Sequence, residues 1–185
     1  MAGDVSNVAA WSEADVFIGP LTATNPTAGA AFALTGTDPW KFAGILDGGA
    51  GFVESQSFSS TPHTGWGYGE VATTRRDLAI TMAFTALEDN ETTLGLRYDV
   101  SGVTFGSGTY SGDLAARDLQ DQFKVAFEVR TGTTIKRLIS KNFAQVESLG
   151  DVSEGEDALA SLPVTVKIYP DSSGIYWVTY KGAAS

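Results

Sequence analysis

Residues 122–130 read Gln-Phe-Lys-Val-Ala-Phe-Glu-Val-Arg, and this stretch decides the fold class of the chain. Every second position holds a large apolar side chain, at Phe123, Val125, Phe127 and Val129. The positions between them hold Lys124, Ala126, Glu128 and Arg130. Because successive side chains of a β-strand point to opposite faces, this alternation predicts a strand with one buried face and one charged outer face. Glu128 is therefore expected on the outside.

Two other stretches have the same period. Residues 78–84 and residues 162–169 also carry a large apolar side chain at every second position, and both are predicted to be strands. The turn-forming residues 170–174 then allow residues 175–180 to return as the hairpin partner of residues 162–169. Weaker patterns predict short strands at residues 15–18, 30–34, 40–46 and 134–140.

One helix is predicted directly after residues 78–84. Thr85 and Glu88 have the spacing of a capping box, and Asp89 and Glu91 place negative charge near the positive end of the helix dipole. The helix is expected to run for about three turns and to end within residues 95–97. Several strands and one helix predict a mainly β protein of the all-β or α+β class.

The composition agrees with this fold class. With 185 residues, 43% of them apolar, the chain is long enough for a single domain, residues 1–185, with its own core. Only 18% of residues are charged and there are 21 glycines, as in proteins of short strands joined by many turns. The chain has no cysteine, which excludes disulfides and thiolate metal sites. It also lacks a signal-peptide pattern and any apolar run of bilayer length, so we expect no membrane association.

The net charge of −10 bears on possible partners. An acidic run lies at residues 147–157, and the few basic residues near residues 124–141 fall on alternating faces of the predicted strands. The field around such a chain repels polyanions. Tight binding of DNA or RNA is therefore not expected.

Residues 47–77 lack a regular pattern. They contain glycines at positions 48, 49, 51, 65, 67 and 69, and four aromatic side chains, Phe52, Phe58, Trp66 and Tyr68. An irregular loop of this length is uncommon in a compact domain unless it is functional, and aromatic residues are enriched in interface cores. We therefore predict that residues 47–77 are mobile in the free subunit and contact another subunit through these aromatic residues. Arg75 and Arg76 are expected to pair with carboxylates, either on a neighbour or on the same chain.

Motifs for catalysis or metal binding are incomplete. His63 is the only histidine, the acidic residues 151–157 lack the spacing of a calcium loop, and the glycines of residues 65–69 are not followed by the Lys-Ser/Thr of a phosphate-binding loop. A glycosidase would need two inward carboxylates, and of the candidates Glu70 and Glu128 the second is predicted on the outer face. We predict no catalytic residue, no metal site and no cofactor.

A non-catalytic carbohydrate-binding β-sandwich is the main alternative function. Trp66, Tyr68, Tyr176 and Trp177 could stack on sugar rings if the fold brought them together.

Several segments, taken in order, resemble one family of proteins. They are the stretch from Trp40 to Gly51, Gly65-Trp-Gly-Tyr-Gly-Glu70, Thr73-Thr-Arg-Arg-Asp77 and, in the second half, Arg137-Leu-Ile-Ser140, Pro163-Val-Thr-Val166 and Ile168-Tyr-Pro-Asp171. In this order they resemble the major tail proteins, or tail tube proteins, of long-tailed bacteriophages, over about residues 15–180.

The resemblance implies a β-sandwich or barrel flanked by one helix, with a long hairpin loop at residues 47–77 that reaches a neighbouring subunit and a flexible N-terminal arm at residues 1–14. Six copies would form a ring whose inner strands join into a continuous barrel, and rings would stack into a tube that delivers DNA.

The partners implied are further copies of the chain, the tape measure protein and the tail terminator and tip proteins, in a virion tail assembled in the host cytoplasm. DNA would pass through the tube without specific binding. Type VI secretion tube proteins share the fold, so the resemblance leaves open a related injection device.

Overall fold

The computed structural model describes residues 10–118, 120–156 and 158–184. Within them the chain forms twelve β-strands and one helix. The elements are β1 (Glu13–Gly19), β2 (Lys41–Phe42), β3 (Val53–Gly65), β4 (Gly69–Ala86), α1 (Glu91–Arg97), β5 (Tyr98–Gly106), β6 (Thr109–Ala116), β7 (Lys124–Thr131), β8 (Thr134–Ser140), β9 (Phe143–Leu149), β10 (Ser153–Gly155), β11 (Ala158–Tyr169) and β12 (Trp177–Ala183). The prediction of a mainly β fold with one helix is confirmed.

The strands form two antiparallel sheets that pack face to face. Sheet 1 has the order β12-β8-β7-β1-β2. Sheet 2 has the order β10-β11-β4-β3, with β9 also paired to β11. Strands β5 and β6 pair only with each other and form a separate short hairpin. The architecture is therefore a β-sandwich with one attached hairpin.

The main core lies between the two sheets. Strand β7 contributes Val125 and Phe127, as its alternation predicts, and they pack in one cluster with Met82 of β4 and with Val164 and Val166 of β11. Phe127 is 3% exposed and lies edge-on to three aromatic rings, those of Phe52, Phe84 and Trp177. The period-two pattern of the sequence thus identifies the inner face of both sheets correctly.

The outer face of sheet 1 is also covered, and this overturns the prediction for Glu128. The connection between β1 and β2 folds over this face, where Phe32 and Trp40 form a second apolar cluster with Ala126. Glu128 is consequently only 2% exposed and forms an ion pair with the buried Arg137. Arg137 also donates hydrogen bonds to the carbonyls of Ala28 and Ala30, at 3.0 and 2.9 Å, which fastens this connection to the sheet.

The helix is shorter than predicted because β4 continues further along the chain. Thr85 pairs with Pro163 of β11, so it is a strand residue and not a helix cap. The cap is Asn90, whose side-chain oxygen accepts hydrogen bonds from the backbone N–H groups of Thr92 and Thr93. Helix α1 has 7 residues and ends at Arg97, so the predicted end is correct and the predicted start is wrong.

Three other strand predictions need correction. Residues 175–180 do not pair with residues 162–169, because β12 joins β8 in sheet 1 while both edges of β11 are already occupied in sheet 2. No strand forms within residues 30–34, and residues 40–46 contribute only β2 and one isolated bridge from Leu46 to Ala86. Strand β9 and the short hairpin were not predicted.

Candidate assembly surface

The sequence pattern suggested that residues 47–77 are irregular, and this prediction is wrong. Most of these residues belong to a long β-hairpin. Strands β3 and β4 pair from Val53, opposite Ala83, to Gly65, opposite Gly69. The apolar alternation that normally reveals a strand is missing because the outer part of the hairpin has no buried face, as every residue of 53–64 is exposed. Serine and threonine side chains, which are compatible with full exposure to water, are frequent in this part of the hairpin. The backbone hydrogen bonds between β3 and β4 hold the two strands together.

The outer part of this hairpin projects away from the sandwich. Strand β4 pairs with β11 only from Ile80 onward. Among the described residues, residues 58–76, which we call the arm, therefore have no strand beside them other than each other. The arm extends for about 25 Å, at about 3.3 Å per residue over eight positions of each strand. A two-stranded ribbon of this kind is marginally stable alone in water. A contact with another surface would stabilise it.

The base of the arm contains a β-bulge. Ser57 lies opposite Ala79 and Ser59 opposite Arg76, so Asp77 and Leu78 together face a single residue of β3. Asp77 adopts a φ of 57°, in the left-handed region that an aspartate tolerates better than most residues. Tyr176 donates a hydrogen bond of 2.9 Å from its hydroxyl to the carbonyl of Leu78. The bulge and this hydrogen bond set the direction in which the arm leaves sheet 2.

The tip of the arm is a tight turn that presents two aromatic side chains. The N–H of Tyr68 donates to the carbonyl of Gly65 at 3.0 Å, and Gly67 has a φ of 81°, which the third position of a type II turn requires. Trp66 is fully exposed and Tyr68 is 86% exposed. Large aromatic side chains in full contact with water are typical of a surface that meets a partner.

The six residues predicted to contact a neighbour fall into three groups. Trp66 and Tyr68 lie at the tip. Phe58, Arg75 and Arg76 lie near the base of the arm, all exposed, and the guanidinium of Arg75 stacks over the ring of Phe58 at 4.8 Å. Phe52 lies outside the arm, is half-buried and packs against Phe127 at a ring-centroid distance of 5.1 Å, so its burial is supplied within the subunit.

Arg75 and Arg76 have no ion-pair partner among the described residues of their own chain. Because they are adjacent on a strand, their side chains point to opposite faces of the arm. The sequence left open a carboxylate of the same chain or of a neighbour as their partner, and no carboxylate of the described residues of the same chain pairs with either arginine.

Two further surfaces are open. A cleft of about 490 Å³ between the two sheets is lined largely by apolar side chains, among them Phe52, Met82, Phe84, Phe127 and Leu138. The short hairpin packs on the sandwich through Val100 and Phe105, and it exposes Tyr110 and Leu114. Its main sequence signal is the Gly106-Ser-Gly108 turn between Phe105 and Thr109, and so the hairpin was not predicted from the sequence.

A group of charged side chains, of which Glu128 and Arg137 are buried, lies on the face of sheet 1 that the connection between β1 and β2 covers. Arg130 donates to Glu128 and to Asp15, both at 2.6 Å, and Glu128 also pairs with Arg137. Burial raises the pKa of the Asp15 carboxyl; nearby Arg130 opposes this shift, and Glu128 adds to it. These ion pairs connect β1, β7 and β8, the three central strands of sheet 1.

The residues considered for catalysis are not brought together. His63 is exposed on the arm, where its Nε2 lies 2.8 Å from the hydroxyl of Thr74. Glu70 is exposed near the tip, where it accepts a hydrogen bond from Thr73, whereas Glu128 is buried in sheet 1. Within the described residues, no group of three or more histidine, aspartate or glutamate side chains is placed to hold a metal ion.

The described residues include no helix that is long and apolar enough to cross a bilayer.

The four aromatic residues of the carbohydrate-binding hypothesis do not form one platform. Trp66 and Tyr68 lie at the tip of the arm, whereas Trp177 packs against Phe127 in the core with a centroid distance of 6.1 Å. Tyr176 lies at the other end of the arm, where its hydroxyl donates a hydrogen bond to the carbonyl of Leu78. A sugar-stacking surface made of these four residues is therefore absent from the described part of the chain.

A β-sandwich that carries an exposed, strand-paired arm with an aromatic tip is typical of structural subunits that pack against other chains. A sequence model described as phage tail tube protein matches residues 1–181, and the chain belongs to that family. Among curated proteins it has no significant match. The protein is thus a structural component of a bacteriophage tail, located in the virion. Its family is typically non-enzymatic and assembles with itself and with other tail components.

Proposed function

We propose that six copies of this chain form a ring and that rings stack into the tube through which phage DNA is delivered. The observation that carries the proposal is the arm, which no other strand of the described part of the chain accompanies and which ends in two exposed aromatic side chains. Head-to-tail contacts between identical subunits form a ring when the rotation from one subunit to the next adds up to a full turn. When it does not, they form an open filament. The open sheet edges β12 and β3 are available for strand pairing between subunits.

The net charge fits a conduit. At −10 the chain repels the DNA phosphates, so that DNA slides through the tube and does not bind to its wall. The tape measure protein and the terminator and tip proteins of the tail are the other partners that we propose, with assembly in the host cytoplasm. We assign no catalytic step, metal or cofactor to the chain.

Replacing residues 58–76 by a short Gly/Ser turn tests the role of the arm. We expect a folded monomer that keeps a β-type circular dichroism spectrum and a cooperative thermal transition, because none of the described core residues lies in the arm. In sedimentation, this variant should stay monomeric at concentrations where the wild-type chain polymerises. A matched control, Ser59→Thr with Ser60→Thr, keeps the arm and should polymerise normally. Normal polymerisation of the variant without the arm would contradict this role.

A further inference from the structure

The connection between β1 and β2, residues 20–40, covers the outer face of sheet 1, and we call it the strap. The structure describes all of its residues, and none of them belongs to a strand. The backbone hydrogen bonds of the strap stay within it. The N–H groups of Ala23, Ala30 and Trp40 donate to the carbonyls of Pro20, Thr27 and Ala33. Among the described residues, contacts made by side chains therefore hold the strap against the sheet.

The apolar cluster under the strap is separate from the main core. Three strap residues meet three residues of sheet 1 there. They are Ala23, Phe32 and Trp40 on the strap, and Phe17, Ala126 and Ile139 on sheet 1. Within the described part of the chain, the cluster between the two sheets contains no strap residue. The strap can therefore lift away without opening that core, as units of local unfolding do.

Arg137 of β8 holds the middle of the strap. Its guanidinium donates to the carbonyls of Ala28 and Ala30, at 3.0 and 2.9 Å. It also lies over the ring of Phe32, at 4.6 Å from the ring centroid. The ion pair with Glu128 fixes the guanidinium in place on the sheet. One side chain thus supplies two hydrogen bonds and a ring contact to the strap.

The strap is strained at the point where Arg137 binds it. Ala28 has a φ of 41°, in the left-handed region that residues with a Cβ atom seldom adopt. Such a backbone conformation persists only when its surroundings hold it. Lys124 fixes the beginning of the strap through a hydrogen bond of 2.8 Å to the carbonyl of Ala23. Without Arg137, the middle of the strap is therefore expected to relax away from the sheet.

We infer that the strap opens and closes as one unit while the sandwich stays folded, and that Arg137 is the clasp that holds it closed. The inference concerns the single subunit and does not depend on the proposed tube. Opening uncovers Phe17, Ala126 and Ile139, and so it gives sheet 1 an apolar outer face. The closed strap keeps this face away from other chains, to which an exposed apolar patch would stick.

Single cysteines test the opening, because the chain has none of its own. Ala126→Cys places a thiol under the strap and Ala144→Cys places one in the main core, at positions that are both 0% exposed. In the folded free subunit, dithiobisnitrobenzoate should label the first variant at least about tenfold faster than the second. The first rate should depend weakly on urea, because opening the strap exposes little surface, and the second should rise steeply. Equal rates with equal urea dependence would overturn the inference.

The clasp is tested by adding Arg137→Lys to both cysteine variants. Lysine keeps the positive charge opposite Glu128 and loses the guanidinium fork that reaches both carbonyls. The labelling rate of Ala126→Cys should rise at least about threefold, while that of Ala144→Cys stays unchanged. Arg130→Lys is the matched control and should change neither rate, because Arg130 bonds to the same Glu128 but to no described residue of the strap. An unchanged Ala126→Cys rate, or the same acceleration by Arg130→Lys, would refute the role of Arg137.

Discussion

Phe127 illustrates how one side chain ties the two sheets together. It lies on β7 of sheet 1, it is 3% exposed, and its ring meets Phe52 and Phe84, which belong to the region of β3 and β4 on the opposite side of the core. Trp177 completes its surroundings. That Phe127 lies on the buried face of its strand was predictable from the alternation of residues 122–130 alone.

Replacing this ring by a methyl group leaves a cavity at the centre of the core. We expect Phe127→Ala to reduce the free energy of unfolding by about 3 to 5 kcal/mol, measured by urea denaturation of the unassembled chain. Phe58→Ala is the matched control, because it removes the same ring from the exposed arm and should change stability by only about 0.5 kcal/mol. Similar losses for both variants would contradict the assignment of faces.

The raised pKa of Asp15 gives a second residue-level prediction. Burial makes the folded chain hold the Asp15 proton more tightly than the unfolded chain, so ionisation of this carboxyl lowers stability. The loss is absent below the unfolded pKa, at about 4, and is fully present above the raised folded pKa. Asp15→Asn is neutral throughout, so its stability relative to wild type should be more favourable at about pH 7 than at about pH 3. The opposite trend in urea denaturation would show that the Arg130 ion pair dominates over burial.

Glu128 shows what a single-strand pattern cannot reveal. Its place in the alternation puts it correctly on the face opposite Phe127, but the pattern contains no information about what covers that face. The cover is the connection between β1 and β2, some 90 to 100 positions earlier in the sequence, and it approaches through Phe32 and Trp40. Burial of a charge on that face depends on its partner Arg137, which lies on another strand.

At the level of elements, prediction succeeded where a strand carries a large apolar side chain at every second position and failed where this alternation is missing. Strands β7 and β11 and the second half of β4 were predicted because one face of each meets the core. The arm was taken for a loop because both of its faces are in water. The partner of residues 175–180 was missed because strand pairing between sheets depends on which edges remain free, and local turn chemistry does not report that.

The tip of the arm carries a prediction of its own. Trp66 is fully exposed and touches no core residue, so Trp66→Ala should leave the melting temperature of the monomer unchanged. If the tip anchors an interface, the same change should raise the concentration needed for polymerisation in sedimentation experiments. Trp66→Phe is the control and should retain most of the assembly, because it keeps an aromatic ring at the tip. An unimpaired Trp66→Ala variant would exclude the tip as an anchor.

For the molecule as a whole, the family and the composition indicate a structural subunit whose negative charge repels nucleic acid. Its charge of −10 leads us to expect no measurable retention of DNA in a filter-binding assay at physiological salt. The folded monomer and the assembled tube should behave alike in this respect. Micromolar binding that weakens steeply as salt is added would contradict the picture of a conduit along which DNA slides.

Self-assembly into a tube is the central claim, and negative-stain electron microscopy of the purified chain at high concentration tests it most directly. We predict rings, and tubes made of stacked rings, with a bore of uniform width and sixfold symmetry in end-on views. Particles that remain single subunits at every concentration, or aggregates without a lumen, would contradict the claim.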